Sequence, residues 1–146
     1  MDDRIKKLTT PAQCEIFAKN AIDLGHPELA IDALKRSIQL RANDHGAKSV
    51  TEKEALQAIY AYEEVLTAKN KRRTRATRTW QMIKRHGIIG AVERAVNRET
   101  TTQGYRMLAE MGLQEFAFEA VILRYPELFS EESIAKSRER LTEWST

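Results

Sequence analysis

Leu24-Gly25-His26-Pro27-Glu28-Leu29-Ala30-Ile31-Asp32-Ala33 reads as the junction of two helices. Gly25 permits the left-handed backbone that ends a helix, and Pro27 opens the next one at a position where its missing N–H costs nothing. Glu28 falls in that helix's first turn, where its charge suits the dipole, and Ala30 and Ala33 let a neighbouring helix approach. Upstream, Thr10-Pro11 is a threonine cap before a proline, and Cys14, Phe17, Ala18, Ala21 and Leu24 then fall on one helical face. Downstream the second helix runs to about Ala42 and buries Leu29, Ala30, Ala33, Leu34, Ile38 and Leu40. The short turn makes the pair a helical hairpin.

The same periodicity of three and four continues beyond it. Asn43 to Val50 is polar loop, and Thr51-Glu52-Lys53-Glu54 reads as a capping box for a long third helix carrying Ala55, Leu56, Ile59, Tyr60, Tyr62, Val65 and Leu66. A fourth helix is expected from about Arg75 to His86 and, after Gly87, a fifth from Ile88 to Val96. The polar stretch Asn97 to Gln103 precedes a second hairpin, Gly104 to Met111 and Gln114 to Arg124, turning at Gly112. Ser130-Glu131-Glu132 caps a last helix to about Trp144. With only six glycines and three prolines, and no alternating apolar pattern, the expectation is all-α: one domain, residues 1–146, a compact bundle of about seven or eight helices arranged as hairpins.

Met111-Gly112-Leu113-Gln114-Glu115-Phe116-Ala117-Phe118-Glu119-Ala120 repeats the pattern of Leu24 to Ala33: aliphatic, Gly, two free positions, Glu, bulky, Ala, bulky, acid, Ala. Both stretches resemble tetratricopeptide-type hairpins, in which alanines of the second helix pack against the first. The resemblance implies tetratricopeptide-like packing in two places. The tandem period of that family is missing, so it reflects packing logic and not family membership.

Hydrophobic residues make up 42% and charged residues 31%, a balance that folds. A single cysteine, Cys14, excludes an intramolecular disulfide and a thiolate zinc cage built from this chain. Met1-Asp2-Asp3-Arg4-Ile5-Lys6-Lys7 is too polar for a secretory signal, and no apolar run approaches the roughly 18 residues of a membrane span. The expected location is the cytoplasm or nucleoid of a bacterial-type cell, with no membrane partner.

Net charge is +3, but it is divided unevenly. The segment 69–98 holds ten basic residues against one acid, Glu93, giving +9, while the remainder sums to −6. Clustered charge of this kind attracts phosphates. Lys71, Arg72, Arg73, Arg75, Arg78, Lys84 and Arg85 are the expected phosphate contacts, with Arg94 and Arg98 extending the patch; Thr74, Thr77 and Thr79 add neutral donors. A helix from Thr74 puts Arg75, Arg78 and Arg85 on one face. Trp80 and Ile83 lie opposite, with the indole reading as core. Helix, Gly87, helix is not read as a helix-turn-helix, because Ile88-Ile89-Gly90-Ala91 is apolar where a recognition helix carries base-reading groups. With Gln81 and Asn97 the only amides nearby, sequence specificity should be modest. Residues 69–74 are expected to order only with an anion. The partner read from these residues is nucleic acid, DNA rather than RNA and double-stranded; a homodimer would double the patch.

Enzymatic chemistry finds little support in the sequence. His26, His45 and His86 lie in turns or at helix ends without metal-ligand spacing, and Asp44-His45 fits ordinary turn chemistry. Glu63-Glu64 and Glu131-Glu132 read as solvated helix surface and helix cap, Cys14 as a buried inert thiol, and no glycine-rich phosphate loop occurs. No catalytic residue, metal or cofactor is expected. The rival reading is a protein-interaction or inhibitory module, with a hairpin groove and an acidic protein partner. It requires Tyr105, Phe116, Phe118 and Phe129 to form an exposed patch.

Overall fold

The computed structural model describes residues 1–98 and 102–144, and these are helical in the main, with no strand among them. Eight α-helices and two short 3₁₀ turns follow one another among the described residues, in keeping with the expected all-α bundle. The chain divides into two compact units, Met1–Gly46 and Ala47–Thr146.

The first unit holds α1 (Asp3–Lys6), α2 (Pro11–Asp23) and α3 (Pro27–His45). Short α1, which the sequence pattern did not announce, is capped by the Asp2 carboxylate accepting from the Arg4 N–H. Thr10 caps α2 by accepting from the Gln13 N–H, and Gln13 Oε1 accepts in turn from the Thr9 N–H at 2.8 Å, so two of the orphan donors of the helix start are satisfied locally. Gly25 ends the helix at φ +82, as the turn requires. Cys14, Ala21, Ala30, Ala33, Ile38 and Ala42 are buried. Leu24, expected on the buried face, is instead 75% exposed: it is the C-cap of α2, where the backbone already leaves the helical path.

In the second unit α4 (Val50–Asn70) is buried on nearly all sides, through Ala55, Leu56, Ala58, Ile59, Ala61 and Val65. Its cap lies two residues before the expected box. Ser49 accepts from the Glu52 N–H and Glu52 accepts from the Lys48 N–H, while Thr51 is buried and Glu54 instead binds Arg124 at 2.7 Å and the Tyr125 hydroxyl. α5 (Thr77–Asn97) is broken at Gly87, whose φ +78 and ψ 174 only glycine adopts without strain. Val92 and Val96 from its second half form a core cluster with Ala55, Ile122 and Phe129, and Ile88 and Ile89 pack against it.

α6 (Thr102–Glu110), α7 (Phe118–Arg124) and α8 (Glu131–Trp144) complete the unit. The segment Gln114 to Arg124, expected as one helix, is a 3₁₀ turn at Gln114–Phe116, an extended Ala117 and then α7. Leu113, Phe116 and Ala117 are all buried across this break. The two stretches of shared pattern therefore do not build equivalent hairpins, since α3 runs unbroken for 19 residues. Ser130 caps α8 as expected, accepting from the Ser133 N–H. Of the polar spacer Asn97 to Gln103, positions 99–101 lie outside the described residues. No helix among the described residues is long and apolar enough to cross a membrane.

Candidate nucleic-acid interface

The break at Gly87 makes two short helical faces out of one segment. On the first half, Arg78, Gln81, Met82, Arg85 and His86 follow the three-and-four spacing of a single face; on the second half, Gly90, Glu93, Arg94 and Asn97 do the same. Together with Arg98 these residues line one polar cleft of ≈ 850 Å³. Gly90 lets the halves approach closely, because a Cβ there would stand 3.0 Å from the His86 Cβ.

Four of the nine expected contacts, Arg78, Arg85, Arg94 and Arg98, thus meet in the cleft. Arg78, Arg85 and Arg94 are exposed, and none has an ion-pair partner among the described residues. Arg98 rests its guanidinium on the Met82 sulfur, and its carbonyl accepts from Arg140 Nη2 at 3.0 Å. Arg140 also donates to the Val96 carbonyl at 2.6 Å, so this one side chain of α8 satisfies two carbonyls at the end of α5 and fixes where Arg98 begins. The one acid of the cleft among the described residues, Glu93, is turned to structural use, accepting from the Ser130 N–H and from the Ser133 hydroxyl. The Ser130 amide foremost, with the serine hydroxyls and Arg94, holds the Glu93 carboxyl below its ordinary range despite partial burial.

Arg73 and Arg75 are placed differently. Glu63 and Glu64, expected as solvated surface, are 3% and 8% exposed. Glu63 Oε2 accepts from the Ala76 N–H at 2.8 Å and from Trp80 Nε1 at 2.6 Å, with Arg75 Nε at 3.5 Å. Arg73 donates to Glu64 at 2.8 Å. Arg75 lies over the Trp80 ring, 5.2 Å from its centroid. It does not share a helical face with Arg78 and Arg85, because α5 starts at Thr77 and not at Thr74. The turn 71–76 is defined by these contacts and by Thr74, whose N–H donates to Thr67 Oγ1. Within 69–74 this carboxylate pairing reaches Arg73, while Lys69, Lys71 and Arg72 stay exposed.

Lys71, the left-handed C-cap of α4, and Arg72 are exposed in this turn, and Lys84 is exposed on α5 without lining the cleft. Thr79 is buried and so not a surface donor, whereas Thr77 is exposed. Trp80, expected as core, is partly buried and packed on Tyr60 with centroids 5.3 Å apart. His86 and Arg140 are the residues sequence reasoning missed. The spacing Arg78, Met82, His86 was the available signal for the first, and none existed for the second. Burial pushes the Cys14 thiol above its usual value, which keeps it protonated. Compared with protein-family models, curated proteins and solved structures, the chain matches none of them.

Proposed function

We propose that this chain is a non-enzymatic nucleic-acid-binding protein that grips the phosphate backbone of double-stranded DNA in the Gly87 cleft. The observation that carries the reading is the convergence of Arg78, Arg85, Arg94 and Arg98 on one concave surface whose only acid among the described residues is already engaged by Ser130 and Ser133. Guanidinium forks bind phosphate oxygens bidentately, and four of them, three along the halves of α5 and one at its C-cap, suit successive phosphates. The cleft has no Phe, Tyr or Trp among its lining residues, which argues for a duplex backbone over the stacked bases of a single strand. Base reading is limited as well. Asn97 commits its amide to Ser133 at 3.0 Å, leaving Gln81 as the one amide in the cleft for a base edge.

The interaction-module reading loses the patch it needs, since Phe116 and Phe129 are buried and Tyr105 and Phe118 partly so. Fluorescence anisotropy with labelled duplex DNA, single-stranded DNA and structured RNA, at several salt concentrations, tests the proposal. Duplex DNA should bind best, be recovered uncut, and lose affinity with salt at a slope of roughly −3.6 for the four arginine contacts, at about 0.9 per phosphate. No binding to any of the three at low salt would overturn it and leave an acidic protein as the next partner to test.

A further inference from the structure

The second unit also carries a partly open pocket of ≈ 360 Å³, which shares Met82 and Arg98 with the arginine cleft. Four aromatic rings wall it: Tyr62 against Phe118, with centroids 6.3 Å apart, and Tyr105 stacked on Trp144 at 5.1 Å. Met82 and Met107 add deformable thioether surface. Protein interiors pack closely and leave few spaces larger than a water molecule, whereas small-molecule sites are apolar, ring-lined and of this size.

The charges of the wall give the class of ligand. Lys69 and Arg98 line the cavity, and neither has a carboxylate partner among the described residues. The one acid there among the described residues, Glu119, is buried and already held by Arg140 at 3.3 Å. An apolar body with a single negative group matches this distribution, since the two exposed cations attract an anion and repel a cation.

We propose that this cavity binds a small aromatic monoanion, its ring system among Tyr62, Tyr105, Phe118 and Trp144 and its carboxylate or sulfonate at Lys69 and Arg98. The inference does not depend on the nucleic-acid reading, and its test needs no nucleic acid. The full chain is titrated with 1-anilinonaphthalene-8-sulfonate, a fluorescent aromatic monoanion. Saturable binding of one dye per chain is expected, displaced by 2-naphthoate and not by 2-naphthylmethanol. Lys69→Gln/Arg98→Gln, which leaves the rings in place, should weaken it about tenfold, as loss of a charge-assisted contact does. Ala95→Phe, which fills the space from α5, should abolish it, and far-UV circular dichroism melts verify that each variant still unfolds cooperatively. Should Ala95→Phe fail to fold, the charge variant decides alone. Non-saturable or multiple dye binding, displacement by the neutral alcohol, or undiminished affinity in the folded Lys69→Gln/Arg98→Gln chain would overturn the proposal.

Discussion

Arg73 and Arg75 stand close to Arg78 in sequence, yet the structure gives the two groups opposite tasks. The first pair faces inward electrically: Arg73 closes on Glu64, Arg75 on Glu63 and the Trp80 ring, and together they moor the turn that starts α5. Arg78, Arg85 and Arg94 point into a cleft where no described carboxylate pairs with them. A run of like charge in sequence is therefore not one surface. What separates structural from available cations here is the position of two buried glutamates on α4, which already hold Arg73 and Arg75.

The difference can be pushed hardest from the cleft side. Arg78→Glu/Arg85→Glu/Arg94→Glu should lower duplex DNA affinity about a hundredfold or more at low salt, because three counterion-releasing contacts become repulsive. The melting temperature should stay within a few degrees of wild type, since none of the three has an ion-pair partner among the described residues. Loss of cooperative melting in that variant would show that the cleft arginines are structural after all.

From the mooring side the effects fall on stability. Glu63→Ala strands the Ala76 N–H and the Trp80 indole N–H, and urea unfolding should show a loss of about 2–4 kcal/mol. Gly87→Ala forces a side chain into a backbone conformation reserved for glycine. It should cost about 1–3 kcal/mol and also weaken DNA binding, because it spoils the angle that brings the two faces together. Arg73→Gln removes a pair whose arginine is largely exposed, so about 0–1 kcal/mol is expected, with duplex affinity nearly unchanged.

The smallest effect is a pH dependence. Glu93 has a depressed carboxyl pKa in the folded chain, so its contribution to stability is complete above the unfolded value of about 4.5 and drains away as pH falls through the folded one. Wild type should therefore lose stability more steeply than Glu93→Gln below that pH in acid titrations of the melting temperature. Parallel curves would mean the Ser130 contact contributes nothing.

The fold was more legible than the site. Thr10-Pro11, Gly25-His26-Pro27, Gly87 and Ser130 mark helix boundaries through local chemistry that tertiary context seldom reverses, and all four hold. Local rules fail where a side chain has a better distant partner. Thr51-Glu52-Lys53-Glu54 satisfies the capping pattern, but Arg124 and Tyr125 claim Glu54, and the cap moves to Ser49. Glu63-Glu64 offered a signal that periodicity reading passed over: α4 carries apolar residues around its whole circumference, so two adjacent acids on it cannot both face water. The cleft itself depended on a glycine break whose angle no spacing rule supplies, which is why Arg94 and Arg98 were legible only as an extension of the basic patch and not as part of one cleft with Arg78.

Removing the same charge from the two places tests the central claim most directly. Duplex DNA titrations across salt concentrations should be compared for Arg73→Gln/Arg75→Gln and Arg78→Gln/Arg85→Gln. The cleft pair should lose at least about tenfold in affinity and about 1.8 in salt slope, two phosphate contacts' worth, while the moored pair keeps both close to wild type. Equal losses in the two variants would contradict the account, since binding would then follow net charge and not the surface that Gly87 shapes.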